Sequence, residues 1–336
     1  MNGDTWDVRP MRVATAPDSP ADKGYRSRAA LPEPAAIAGS LPETPQHDLL
    51  FRGGKVLPHL AYVNFYVSGS SWSQSDIDAV NSALEAAMTD ERLNNVMAQY
   101  FPDGHITSTF AGSVLLDGPR PDVVSQGDVE SLVRRLFRSG RLAPFDASST
   151  VFNFLLPSGT VLTTDEAPTG GPLRAQLMAE PDEDSPIPHE EEDSTEGLGG
   201  YHGSVHISRG VNRITLYYAV GVYSERRPDG SRNGIVAFDR PWKNVVATFY
   251  HELNEARTDP DVEDAIKTNS DAFLGWTSQQ GEECGDFPVF EANPLSQVFK
   301  EVPVTGGAGT VPVQFQYSNA VHGPEGPIAT PHAPLL

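Results

Sequence analysis

A chain of 336 residues, 38% of them hydrophobic, is long enough to bury one sizeable core. Its 45 acidic and 24 basic side chains leave a formal charge of −21, a field that repels nucleic acid and anionic lipid and favours cations, which argues against nucleic acid as a partner. Cys284 is the only cysteine, so an intrachain disulfide and a thiolate zinc cluster are both ruled out, and any metal must rely on His and carboxylate ligands.

Residues 1 to 48 are rich in Pro, Ala, Ser and charge, show no apolar period, and predict a flexible tail. The segment Met1 to Pro20 lacks the basic start and apolar core of a signal peptide, and no run of 18 apolar residues occurs. A cytoplasmic location without membrane insertion is therefore the default expectation. From residue 49 the pattern changes. Val56 to Val67 is dominated by β-branched and aromatic residues behind Gly53-Gly54 and predicts a long strand. Ser73 and Asp76 precede Ile77, Val80, Leu84 and Met88 at helical spacing, and a second helical stretch is expected from Asp90 to Tyr100. A strand near His105 to Leu116, a helix from Gln126 to Ser139 and an apolar strand from Thr150 to Leu156 follow.

Between residues 157 and 200 lies a Pro/Gly-rich segment with the acidic run Glu180, Asp182, Glu183, Asp184, Glu190, Glu191, Glu192 and Asp193, which reads as a solvated loop. Tyr201 to Ile207 and Ile214 to Tyr223 then read as paired strands. After residue 302 a Pro/Gly-rich C-terminal tail is expected, with Val311 to Tyr317 as a possible edge strand. Its Gly306-Gly307-Ala308-Gly309 has no following helix and gives no support to a phosphate loop. The alternation predicts one α/β (α+β) domain over residues 49–302, a mixed sheet with packed helices.

Pro241 and Trp242 open a stretch free of internal Pro and Gly through Arg257, which predicts a helix of about four turns. Within it stands His251-Glu252-Leu253-Asn254-Glu255. Positions i and i+4 project side by side, so His251 and Glu255 can hold one ion while Glu252 points slightly off their line as a general base. A carboxylate stands where the HE-x-x-H pattern has its second histidine. One divalent ion is expected, Zn2+ first, with Ca2+ or Mn2+ compatible with the same donors. Alone, the five residues also fit an ordinary solvated helix face. Their surroundings add acids. Asp259, with Asp261 beside it, ends the helix, and the Gly-flanked loop Gly281 to Asp286 offers Glu283 and Asp286 as further ligands or as a plain turn. His202 and His206, four apart on one strand, share a face and could reach the site, but satisfied structural histidines are the commoner case. Tyr201 and Tyr250 could donate to an intermediate but carry no distinguishing signal. Cys284 has no neighbouring His in sequence, and no G-x-S-x-G elbow exists.

The string His251 to Pro260, with Gly275-Trp276 and Gly281 to Asp286, resembles the HE-x-x-EA-x-TDP, GW and GE-x-x-GD signature of uncharacterised bacterial zincin-like proteins. These are distantly similar to plant Exordium-type (phosphate-induced) proteins. Gly200 to Ser204 and Gly53 to Leu57 resemble further strands of that group, so the likeness spans roughly residues 50 to 290. It implies a zincin-like α/β fold with His251 and Glu255 as ligands and Glu252 as candidate base. The function to be expected is a metal-dependent hydrolase, most simply a zinc metallopeptidase acting on a peptide or protein. The alternative is a noncatalytic protein whose cation stabilises a binding surface.

Overall fold

The structure is a computed structural model that describes residues 41–164, 193–209, 212–262, 264–265, 270–305, 307 and 309–335, and all that follows concerns these. In chain order the first half contains β1 (Leu50–Phe51), β2 (His59–Tyr66), α1 (Gln74–Thr89), the single turn α2 (Glu91–Asn94), β3 (Thr107–Leu115), β4 (Val123–Ser125), α3 (Gln126–Arg138), β5 (Thr150–Leu155) and β6 (Val161–Thr163). The second half contains β7 (Gly200–Arg209), β8 (Asn212–Gly221), β9 (Glu225–Arg226), β10 (Arg232–Asn233), α4 (Pro241–Thr258), β11 (Trp276–Thr277) and α5 (Asp286–Glu291). Four strands close the chain: β12 (Phe299–Pro303), β13 (Thr310–Gln314), β14 (Gln316–Ser318) and β15 (Gly323–Glu325).

The main sheet has the order β3-β2-β5-β8-β7. Neighbours among its first four strands run parallel, and β7 is antiparallel to β8 at one edge, which makes the sheet mixed and the class α+β. The strand period of two divides the core. Tyr62 and Tyr66 of β2 pack with Ile77, Val80 and Leu84 of α1 and Phe249 and Leu253 of α4 on one face. Val63 and Phe65 pack with Val129, Val133 and Leu136 of α3 on the other. Both faces of β2 are thus covered, which explains its nearly continuous apolar run. Helix starts follow capping chemistry: the Asp76 N–H donates to Ser73 Oγ, and Ser125 with Asp128 forms a reciprocal capping box.

Two expectations need correction. The helix expected from Asp90 to Tyr100 is only α2 followed by a 3-10 turn over Met97–Tyr100. The Asn94 side chain turns back and donates to the carbonyls of Ala87, Met88 and Asp90, which satisfies the end of α1 instead of extending a new helix. The boundaries at 48 and 302 also move outward. Thr44 and His47 are buried, and the Tyr317 hydroxyl donates to the Thr44 carbonyl at 2.6 Å. Beyond residue 302, β12 pairs with β13 and β14 with β15, and Val311, Val313 and Tyr317 are core residues. The described residues from 303 to 335 therefore include paired strands and core side chains. Most of the expected N-terminal tail (1–40) and most of the acidic loop (165–192) lie outside the described residues. Among the described residues no helix is long and apolar enough to cross a membrane.

Candidate metal centre

Helix α4 begins with Pro241 at its first position and is enclosed on all sides, with every residue from Asn244 to Thr258 buried. Val245, Val246, Phe249, Leu253 and Ala256 account for the side that meets the sheet and α1. The opposite side is polar, and His251, Glu252 and Glu255 are each 0% exposed. A buried carboxylate costs several kcal/mol unless a cation or donors compensate it, so the partners of these groups decide what the helix is for.

Three other elements face this side of α4. The start of α5 and the loop before it bring Asp286 and Glu283, β7 brings His202, and β13 brings Gln314, all of them buried. His251 Nε2 lies 3.0 Å from Glu255 Oε2, 3.9 Å from Asp286 Oδ1 and 4.0 Å from Glu252 Oε1. His251 Nδ1 lies 2.8 Å from Gln314 Oε1, an oxygen that can only accept, so Nδ1 carries a proton and Nε2 is the nitrogen that turns a lone pair to the carboxylates when the ring is neutral. The Gln314 amide is oriented in turn, because its nitrogen donates to the Gly285 carbonyl. The Gly285 N–H donates to Glu255 Oε1 at 3.0 Å, and the Glu283 N–H donates to Asp286 Oδ2 at 2.9 Å. Each of these two carboxylates thus has one oxygen held by the backbone and one aimed inward.

The inward atoms have no hydrogen-bond partner. They are His251 Nε2, Glu252 Oε1, Glu255 Oε2, both Glu283 carboxylate oxygens, Asp286 Oδ1 and, slightly apart, Asp259 Oδ2. The 3.0 Å approach of His251 Nε2 to Glu255 Oε2 is an ion-pair contact, and the same two atoms are close enough to share a cation. Ligand atoms about 2.0–2.1 Å from a tetrahedral zinc lie roughly 3.3 Å apart, close to the spacing seen here. One donor from each of His251, Glu255 and Asp286 forms a set whose atoms all lie within 4.8 Å of one another.

The structure thus gathers His251, Glu252, Glu255 and Asp286. Glu283 stands on the far side, its Oε1 3.4 Å from His202 Nε2. Asp259 is placed behind His202 and not beside His251: its Oδ1 accepts from the Gly275 N–H at 2.9 Å, and its carbonyl accepts from His202 Nε2 at 3.0 Å. Asp261 joins His206 and Asp264 in a separate, half-buried group. His206 is satisfied there, with Asp264 on Nε2 and Thr215 Oγ1 2.9 Å from Nδ1. Tyr250 points away, its hydroxyl donating to the Leu93 carbonyl at 3.0 Å.

Sequence reasoning undervalued His202 and missed Gln314 and Gly285. His202 Nδ1 lies 3.4 Å from Glu252 Oε2 and 3.8 Å from Glu255 Oε2. The one signal in the sequence is the adjacent Gly203, whereas the structure puts the close approach of β7 to α4 at Gly200, where a Cβ would stand 3.1 Å from Thr248 Cγ2 and 3.2 Å from Glu252 Oε1. Gly285 is required by space: a Cβ there would stand 2.3 Å from His251 Nδ1 and 2.9 Å from Glu255 Oε1.

The electrostatics follow from burial and crowding. Burial pushes Glu252 up to about 7 against the opposing hydrogen bond from His202. Burial likewise lifts Glu283 to about 7, with His202 again opposing. Asp259 and Asp286 are held well above the usual carboxylate range by burial, reinforced by Glu283 and Glu255 respectively. Burial opposes charge on His251, but Glu255 and Glu252 outweigh it and raise the imidazole to about 9. His202 is raised well above its ordinary value by Glu283 and Glu252, despite burial. In the absence of a metal the centre therefore keeps protons where a cation would sit.

No family model matches this chain, and comparisons with curated proteins and with solved structures likewise return no match. Fold and site together define the class: an α+β protein with a fully buried His/carboxylate cluster.

Proposed function

We propose that the chain is a metal-dependent hydrolase, most simply a zinc metallopeptidase of zincin-like organisation, in which His251, Glu255 and Asp286 hold one divalent ion. The observation that carries the reading is the convergence of buried donor atoms without partners on the polar side of α4. The resemblance of its motifs to the signature of uncharacterised bacterial zincin-like proteins supports it, as does the position of α4 beside the antiparallel edge strand β7. One imidazole with two carboxylates suits Zn2+ and is also open to Mn2+ or Ca2+. Zn2+ bound there supplies Lewis acidity toward water and a carbonyl.

The chain's own residues divide the remaining work. Glu252 keeps Oε1 free on the His251 side while Oε2 faces His202 Nδ1 at 3.4 Å, so His202 is a positioning residue that fixes the carboxylate's direction. A carboxylate raised by burial, with its free Oε1 turned toward the ion position, is placed to accept a proton from water and then return it to a leaving amine. Gln314 holds His251 in the tautomer that leaves Nε2 available. The substrate in this reading is a peptide or protein.

A second reading is favoured by one observation: each member of the cluster is 0% exposed, and centres closed by protein ligands are typically structural. In that reading the ion stabilises a noncatalytic binding protein. Glu252→Gln separates the two. The hydrolase reading expects unchanged metal content and loss of peptide hydrolysis by at least about 100-fold, the usual contribution of a general base. Hydrolysis at the wild-type rate rules out Glu252 as the base, and wild-type protein inert toward a broad peptide library leaves the structural reading standing.

A further inference from the structure

The donor atoms on the polar side of α4 fall into two sets. One is His251, Glu255 and Asp286. The other is His202, Glu252 and Glu255, again with all donor atoms within 4.8 Å of one another. Glu255 is common to both. Every one of these side chains is 0% exposed.

A single tetrahedral ion takes four ligands, whereas the unpartnered atoms are His251 Nε2, Glu252 Oε1, Glu255 Oε2, Asp259 Oδ2, both oxygens of Glu283 and Asp286 Oδ1. Charge points the same way. Glu252, Glu255, Asp259, Glu283 and Asp286 are five fully buried carboxylates in this region. One divalent ion leaves a formal excess of three negative charges among them, and a second reduces it to one. Burying unpaired charge is among the costliest things a fold can do.

His202 shows where the second ion would go. Its Nε2–H is committed to the Asp259 carbonyl at 3.0 Å. Its other nitrogen, Nδ1, faces Glu252 Oε2 at 3.4 Å and Glu255 Oε2 at 3.8 Å. In the neutral ring that nitrogen turns a lone pair toward two carboxylate oxygens, an arrangement relieved either by a proton on Nδ1 or by a cation between the three atoms. Glu283 Oε1 lies 3.4 Å from the other ring nitrogen, Nε2, and both of its oxygens are unpartnered, so it adds uncompensated negative charge on the far side of His202.

We propose that the centre binds two divalent cations, the first at His251, Glu255 and Asp286 and the second at His202 and Glu252, with Glu255 shared between them. The inference rests on the metal-binding part of the reading above, not on its hydrolytic part. It also has a consequence for Glu252, which turns Oε1 toward the first position and Oε2 toward the second. Filling the second position draws electron density from the carboxylate and weakens it as a base, so the second ion is a brake on the proposed chemistry and not a requirement for it.

The test is stoichiometry. Full-length protein stripped with a chelator is dialysed against buffered Zn2+, and bound metal is measured for wild type, His202→Ala and His251→Ala, with circular dichroism confirming that each is folded. The expected result is two equivalents in wild type and one in each variant. One equivalent in both wild type and His202→Ala overturns the second position while leaving a single-ion centre intact. No metal in wild type overturns both readings. Two equivalents in wild type and in His202→Ala overturn the placement of the second ion. A spectroscopic check needs no variant: wild type loaded with two equivalents of Mn2+ should show an electron paramagnetic resonance spectrum of coupled ions, and only the six-line signal of isolated Mn2+ overturns the shared-ligand arrangement.

Discussion

Replacing Gly285 by Ala tests the geometry of the centre with a single methyl group. Its added Cβ would stand 2.3 Å from His251 Nδ1, 2.6 Å from Cε1 and 2.9 Å from Glu255 Oε1. Ordinary contact begins near 3.4 Å, so the imidazole must retreat by about 1 Å. It cannot do so freely, because Nδ1 is held by Gln314 at 2.8 Å and α4 is packed on all sides. A metal–nitrogen bond of about 2.0–2.1 Å does not survive a shift of that size. The expected outcome is a loss of metal affinity of at least about 10–100-fold, the range seen when the support of a ligand is disturbed, together with overpacking destabilisation of about 1–3 kcal/mol. Competition for Zn2+ against a chromophoric chelator reads the first, and thermal unfolding of the metal-free protein reads the second. Gly307→Ala serves as control, since its Cβ meets Val304 no closer than 3.4 Å. Wild-type affinity in Gly285→Ala would refute the placement of His251 as a ligand.

Three more predictions follow from the same contacts. Gln314→Leu removes the acceptor that fixes the His251 tautomer and should weaken Zn2+ binding by about 10–100-fold in the same competition assay, with a smaller effect in Gln314→Glu, which retains an acceptor. The metal-free protein should lose stability as pH rises. Glu252 and Glu283, raised from 4.5 to about 7, bind more protons folded than unfolded between those values, and His251, raised from 6.5 to about 9, does the same over the higher window. Differential scanning calorimetry in chelator should therefore show a falling Tm from pH 5 to pH 9, and the stabilisation given by Zn2+ should grow over the same range; a metal-free Tm that rises with pH contradicts the crowded-carboxylate description. Deleting residues 303–336 removes Gln314 and the buried Val311, Val313 and Tyr317, so it should abolish cooperative unfolding and metal binding together, as read by calorimetry and metal analysis.

What was legible in the sequence was mostly local. The spacing of His251 and Glu255 shows one helix face because the helical period is fixed, and the strands of the main sheet are visible because they are long and apolar. His202 was harder to place, since a strand residue's partner depends on which strand forms the sheet edge and which helix crosses it, and β7 meets α4 only through tertiary packing. Gln314 was hidden differently: Val311 to Tyr317 reads as an edge strand, but which of its side chains meets α4 is set by tertiary packing and not by any local period. Asp259 is expected from the sequence as a ligand, but its place as acceptor for His202 and Gly275 depends on where the chain goes after α4. Asn94 ended a helix that periodicity alone would have continued, because its amide competes for backbone carbonyls.

The central claim is that α4 carries a metal centre, and the most direct measurement is elemental analysis of protein purified without chelator or metal-affinity resin. Wild type is compared with the double variant His251→Ala, Glu255→Ala, which loses a ligand pair whose inward atoms lie 3.0 Å apart. At least one equivalent of Zn2+ in wild type and its loss in the variant is the result expected here. Absence of any divalent metal from wild type, with the protein still folded and stable, would contradict the account.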